Sequence, residues 1–272
     1  MSSSRLLAAA AAVVVSAMPM ARAADLAIPL PPPPPEFSGW YLRGDIGMSS
    51  QSVHDMHQRY QDVVSEQFTL TSNTFDSAPF FGVGVGYQFN NWLRSDVTFE
   101  YRGNANMHLT QTGDQGSVDI YHGSKSEFTT LVNLYADLGT WWCVTPFIGA
   151  GVGASFNRIH DFYDQNASPG GPANGQIVAV ADGTGTKWSL AWAVHAGLAY
   201  QATPNLTLEL AYRFINLGDA QSGWFHNVIP ANSVAPGPFQ FKDLTSHDVK
   251  LGIRWMLDAP PPPPPPLLMR KG

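Results

Sequence analysis

Cysteine is almost missing from this 272-residue chain: Cys143 stands alone, which excludes an intrachain disulfide and a cysteine-based metal centre. Charge is scarce too. Asp, Glu, Lys and Arg together supply 13% of the residues, about half the share usual in a soluble domain. Much of the surface is therefore expected to face something other than water. After residue 24 no apolar run approaches the roughly 18 residues a helical membrane span requires. A glycine-rich phosphate loop and a clustered metal-ligand motif are also lacking. No cofactor is expected, and no enzymatic activity.

What is present begins with a leader. Arg5 is followed by the apolar run Leu6 to Val15 and then by Ala21-Arg22-Ala23. Basic, apolar, then Ala-x-Ala is the order of a secretory signal peptide. Cleavage is expected before Ala24, leaving residues 1–23 without a part in the fold. Two proline runs, Pro31 to Pro35 and Pro260 to Pro266, adopt the extended polyproline form and cannot join a central strand. The domain organisation expected is a signal peptide over 1–23, a proline-rich periplasmic segment over 24–37, a folded domain over 38–257 and a proline-rich periplasmic tail over 258–272.

Between the proline runs, eight segments alternate apolar and polar residues with period two: Trp40 to Met48, Phe80 to Phe89, Trp92 to Arg102, Phe128 to Leu138, Val144 to Phe156, Lys187 to Gln201, Leu206 to Phe214 and Asp248 to Leu257. Each is about ten residues long, enough to cross a bilayer as a tilted strand. Their connections alternate. Asn90-Asn91, Gly139 to Cys143 and Ala202 to Asn205 are short and rich in turn formers, whereas 49–79, 103–127, 157–186 and 218–245 are long and polar. Short turns on one side and long loops on the other predict an all-β, eight-stranded antiparallel up-and-down transmembrane barrel in the outer membrane. Trp40, Phe89, Trp92, Trp141, Trp142, Tyr200 and Trp255 fall at the periplasmic rim; Tyr101, Phe128, Phe156, Trp188 and Phe214 fall at the other. Two aromatic girdles are expected of such a barrel, and a soluble barrel would turn its apolar face inward instead.

The same alternation assigns an inward face. It carries Arg43, Arg94, Arg102, Arg213, Lys250 and Arg254, and Asp45, Asp96, Glu100, Asp137, Glu209 and Asp248. Six cations against six anions predict a salt-bridge network, since eight strands enclose little more than their own side chains and buried charges need partners. The glycines of the second and fifth segments leave room for long side chains from across the ring, and a narrow ion path is the other reading. His195 also falls inside. Ser246-His247-Asp248 is no triad, because adjacent strand residues point to opposite faces.

The long connections carry twelve carboxylates against Arg59, Lys125, Arg158 and Lys242, a net charge of −8. An acidic surface argues against nucleic acid as a partner. It could hold divalent cations that bridge to lipopolysaccharide. Histidines 54, 57, 108, 122, 160 and 226 lie in the same stretches, with His54 and His57 close in sequence; imidazole suits iron and zinc, so this pair is a candidate haem or metal ligand.

The chain resembles the small outer-membrane β-barrel surface antigens of Gram-negative bacteria, similar in architecture to the OmpA-type transmembrane barrel. The resemblance rests on Ala21-Arg22-Ala23-Ala24-Asp25, on Gly39-Trp40-Tyr41-Leu42-Arg43-Gly44, on Phe147-Ile148-Gly149-Ala150-Gly151-Val152-Gly153 and on Leu208-Glu209-Leu210-Ala211-Tyr212-Arg213. The closing Lys250-Leu251-Gly252-Ile253-Arg254-Trp255-Met256-Leu257 resembles the signal read by the barrel-assembly machinery. The resemblance implies structural and surface roles, with haem binding in some members; the function expected is a structural, envelope-supporting protein, with haem or metal capture as one alternative and, from the lumen, a small channel as another. The partners expected are outer-membrane lipid and lipopolysaccharide, the assembly machinery and, through Leu267-Leu268-Met269-Arg270-Lys271, a periplasmic contact.

Overall fold

The computed structural model describes residues 38–58, 61, 65–229 and 237–258. The expected signal peptide over 1–23, residues 24–37 and the proline-rich stretch beyond Asp258 lie outside the described residues. Within them run twelve strands: β1 Gly39–Ser52, β2 Asp55–His57, β3 Phe68–Phe75, β4 Ala78–Gln88, β5 Leu93–Gly113, β6 Val118–Asp137, β7 Val144–Asn166, β8 Ile177–Asp182, β9 Gly185–Gln201, β10 Leu206–Gln221, β11 Trp224–Asn227 and β12 Gln240–Met256.

Eight of these close a ring. Hydrogen bonding runs β1-β4-β5-β6-β7-β9-β10-β12, and β12 returns to β1 from Tyr41↔Met256 to Ser52↔Thr245. Every pair is antiparallel, so the backbone groups of the ring are satisfied without a free edge, the condition for strands in hydrocarbon. β2, β3, β8 and β11 add to the ring at one end only, on β12, β5, β7 and β8. At the other end the connections are tight. In the first, the Asn90 side chain accepts from the Leu93 and Trp92 amides at 2.8 and 3.0 Å.

Facing follows the lipid. On β12, Val249, Leu251 and Ile253 are more than half exposed, whereas Asp248 and Lys250 are buried. Period two with the apolar face outward holds on all eight ring strands from the periplasmic rim up to Tyr101, Phe128, Phe156, Trp188 and Phe214. In the inner space, glycines are gaps that partners fill. A β-carbon on Gly86 would collide with the Tyr41 ring, and one on Gly149 with the Tyr135 ring.

Above the second aromatic rim the structure departs from the polar loops expected at 49–79, 103–127, 157–186 and 218–245. Much of these stretches continues the barrel: β5 runs on to Gly113, β6 starts at Val118 and β7 reaches Asn166. Some ten further residues per strand raise this extension roughly 25 Å at the usual rise and tilt. Its chemistry is inverted. Asn106, His108 and Ser124 face outward, while Met107, Leu109, Tyr121, Ile159, Phe162, Phe225, Phe239 and Phe241 are buried in one apolar core. Phe162 stands within 5.4–5.6 Å of Tyr121, Phe225, Phe239 and Phe241, ring centre to ring centre. Bulges break the alternation where the extension begins, between Arg102 and Ala105, between His122 and Ser124, and after Asn216.

Candidate functional site

The inward face builds two charged layers. In the periplasmic half, Arg43 from β1 spans the ring. Its guanidinium lies 2.9 Å from Asp45, 2.6 Å from Asp96 and 3.2 Å from Glu209, and it donates to the Tyr135 hydroxyl at 3.2 Å. Glu209 is shared: Arg94 approaches it at 3.3 Å and Arg254 at 3.4 Å. Arg94 also meets Asp137 at 3.2 Å and lies over the Tyr135 and Phe147 rings at 4.2 and 4.8 Å. Lys250 reaches Asp45 at 3.5 Å. Asn133 donates to Asp96 at 2.8 Å and stands 3.2 Å from the His195 Nε2, so the inward histidine is a hydrogen-bonded member of the layer.

The second layer sits toward the extracellular side. Arg102 contacts Asp248 and Glu127, each at 2.7 Å, and donates to Ser246 at 2.8 Å. Arg213 contacts Glu100 at 2.7 Å and Asp248 at 2.8 Å. Both guanidiniums lie over the Phe80 ring, at 4.9 and 5.1 Å. Lys125 and Glu127 join here, 2.5 Å apart and both bridged by Gln51. Both lie in the stretch 103–127 expected to be a loop, although the parity of β6 carried back from Phe128 puts both inward. Among the described residues the two layers thus bury seven cationic and seven anionic side chains. All twelve residues assigned to the inward face lie there. Ser246 and Asp248 face inward, with 2.6 Å between them, whereas His247 faces outward to the Tyr212 hydroxyl at 2.7 Å.

A family model described as the outer-membrane protein β-barrel domain matches residues 7–256. The chain belongs to this family. It is a barrel of the outer membrane with transmembrane strands. A relative in Brucella abortus (strain 2308), an uncharacterised protein, is 30% identical over 89% of this chain and 94% of its own. A protein of Rickettsia prowazekii named as a putative adhesin is 26% identical over 79% of this chain and 86% of its own. Among solved structures, Neisserial surface protein A superposes with a TM-score of 0.46 at 18% identity, covering 81% of this chain and 99% of that one.

Two further features of this outer-membrane barrel lie in its extension. Asp119 and Asp164 are close on the inner face of β6 and β7. Burial pushes both carboxyls up, helped by the Glu66 charge at Asp119, which rises to about 6, and by the Asp119 charge at Asp164, which rises to about 8. The Asp164 Oδ1 is buried without a hydrogen-bond partner. On the outer face, His108 and His122 are directly opposed across β5 and β6, with their Nδ1 atoms 3.0 Å apart. The pair singled out in the sequence, His54 and His57, is placed differently. His54 lines a groove with Asn73 and Asp243, and His57 lies on β2 opposite Gln240. No three of histidine, cysteine, aspartate and glutamate converge as a metal cage among the described residues.

Proposed function

We propose that this chain is a structural, non-conducting outer-membrane protein that supports envelope integrity and carries a rigid platform above the membrane. One observation carries the reading: the seven cations and seven anions of the two layers fill the ring from the periplasmic rim to just beyond the second aromatic rim, each almost wholly shielded from solvent. The apolar core of the extension stacks on this charged filling. An aqueous path would have to wet one layer and displace the aromatic rings of the other. The charged layers cross-link strands that are not neighbours. Arg43 on β1 meets Glu209 on β10, and Arg102 on β5 meets Asp248 on β12.

Planar-bilayer recording of the purified chain tests the closed lumen. Rare or absent current steps are expected; large, steady channels from every inserted molecule would replace this reading with a small porin. Envelope support is tested by deleting the gene and scoring detergent sensitivity and vesicle release. Unchanged values in both overturn that half of the reading.

A second reading, surface adhesion, is favoured by the β8–β11 flap, which stands outside the ring and leaves Trp224, Ile177 and Val228 about half exposed. The name of the Rickettsia relative points the same way. Displaying the chain on a non-adherent Gram-negative cell and counting attachment to protein-coated and glycan-coated surfaces tests it. Attachment equal to that of undecorated cells rejects it.

A further inference from the structure

Four strands of the extension set one row of side chains across the outer face: Thr74 on β3 opposes His108 on β5, His108 opposes His122 on β6, and His122 opposes Tyr163 on β7. The two imidazoles are nearly perpendicular, at 81°, with centroids 5.1 Å apart. This orientation aims their Nδ1 atoms at each other across 3.0 Å. Two ring nitrogens at that distance need something electrophilic between them. A single proton, donated by one ring and accepted by the other, is the smallest occupant. A metal dication is the next.

The spacing fits a metal once the two rings turn from their head-on aim so that both Nδ1 lone pairs meet at one ion. At a metal–nitrogen bond of about 2.0–2.1 Å, two imidazoles on adjacent corners of a square stand roughly 2.8–3.0 Å apart, and on two corners of a tetrahedron roughly 3.3–3.4 Å. The observed spacing falls at the first and within a small ring tilt of the second. His122 is also held in place. Tyr163 stacks on it, 24° from parallel and 5.0 Å away. Gln165 hydrogen-bonds the same ring, and its amide nitrogen is committed to the Gly175 carbonyl. A second partner that fixes the ring and leaves the other nitrogen for a ligand is the usual support of a metal-binding histidine.

The surroundings suit a cation. In the membrane-proximal row, Asn106 donates to Asp76 at 3.0 Å, Ser124 donates to Asn106 at 2.8 Å, and His160 pairs with Asp161 at 2.8 Å. In the row toward the tip, Thr110, Ile120 and Gln165 stand opposite one another. Neither row carries a lysine or an arginine.

We propose that His108 and His122 form a surface site for a first-row transition-metal dication of the zinc, copper or nickel class, with water completing the coordination. The site lies outside the charged lumen and does not depend on whether the lumen conducts. Two protein ligands make it an exchangeable site that takes up metal at the cell surface.

The test uses the full chain without a polyhistidine tag, refolded into lipid, with copper(II), zinc and nickel salts as the only probes. Copper EPR of the nitrogen-15-labelled protein is expected to show one ion per barrel coupled to two imidazole nitrogens. His108→Ala and His122→Ala are each expected to weaken binding at least tenfold and to reduce the coupling to one nitrogen. His160→Ala is expected to change neither. All three side chains point away from the core, and heat-dependent gel mobility reports whether each variant is folded. Should one fail to fold, His122→Gln at the same position provides the comparison. Equal affinity in the parent and in either paired variant overturns the site, as does copper coupled to fewer than two nitrogens in the parent.

Discussion

Arg213 and Glu100 meet fork to fork across the ring, Nη1 to Oε1 at 2.8 Å and Nη2 to Oε2 at 2.7 Å. This two-bond geometry is the strongest form of the arginine–carboxylate contact, and here both groups are buried. Removing the carboxylate leaves the Arg213 guanidinium with Asp248 alone, which Arg102 already shares, and so leaves one positive charge unmatched in a dry lumen. Glu100→Ala is expected to destabilise the refolded barrel by about 3–5 kcal/mol, read as a shift of the urea midpoint. Pairing it with Arg213→Met is expected to recover most of the loss, because no charge is then left alone. A double variant as unstable as the single one would show that shape, not charge, decides at this position.

Facing predicts a second pattern. Leu210 is about half exposed and lies midway along the membrane part of β10. Leu210→Arg is expected to cost about 2–4 kcal/mol in a lipid refolding titration, and Leu257→Arg, at the rim, about 0–1 kcal/mol. Equal costs at the two depths would contradict the placement of the lipid band.

The carboxyl pair of the extension predicts a pH dependence of unusual sign. Burial lifts Asp164 to about 8 and Asp119 to about 6 in the folded protein, against about 3.9 in an unfolded chain. Between these limits the folded extension binds more protons than the unfolded one. Its stability is therefore greatest on the acid side and is lost as pH rises through about 6 to 8. Amide exchange of the strand segments 119–125 and 159–165, corrected for intrinsic rates, is expected to show weaker protection at pH 9 than at pH 5.5. Asp164→Asn is expected to remove most of the difference. Protection that rises with pH in the parent would reverse the assignment.

Space at Gly149 predicts the fourth outcome. The Tyr135 ring occupies the place a side chain would take. Gly149→Val is expected to lower the urea midpoint, and adding Tyr135→Ala to restore part of it by returning the volume. A double variant that falls further than the sum of the single changes would mean that Tyr135 matters chiefly through its hydroxyl on Arg43.

The transmembrane part was legible because lipid imposes one rule on every ring strand. Outward residues such as Leu251 and Ile253 must be apolar, so inward ones such as Lys250 stand out by contrast. The rule lapses above the second aromatic rim, where water bathes the outside and the core is apolar. Met107 and Leu109 alternate with Asn106 and His108 as an ordinary soluble strand would. The bulges beside Arg102 and His122, together with Asp161 at a φ of 54°, shift the parity, so alternation read on from the membrane loses its frame. The His108–His122 pair was not legible for another reason. Fourteen positions separate the two residues in sequence, and only the register of β5 against β6 makes them opposites. His54 and His57 are close in sequence, but the structure sets His54 in the loop before β2 and His57 on β2 opposite Gln240.

The partners of the terminal strand bear on how the ring is finished. Asp248, Lys250 and Arg254 all come from β12, and their contacts lie on β1, β5 and β10. Until that strand docks, Arg102 and Arg213 face an open, wet trough without Asp248 between them. The last seam therefore closes like a zip whose final tooth also locks several earlier ones. A half-shut barrel gains little from partial alignment, and a chain entering the seam one residue out of register would present Val249 or Leu251 to the arginines instead. The interior thereby proofreads the register in which the outer wall is sealed.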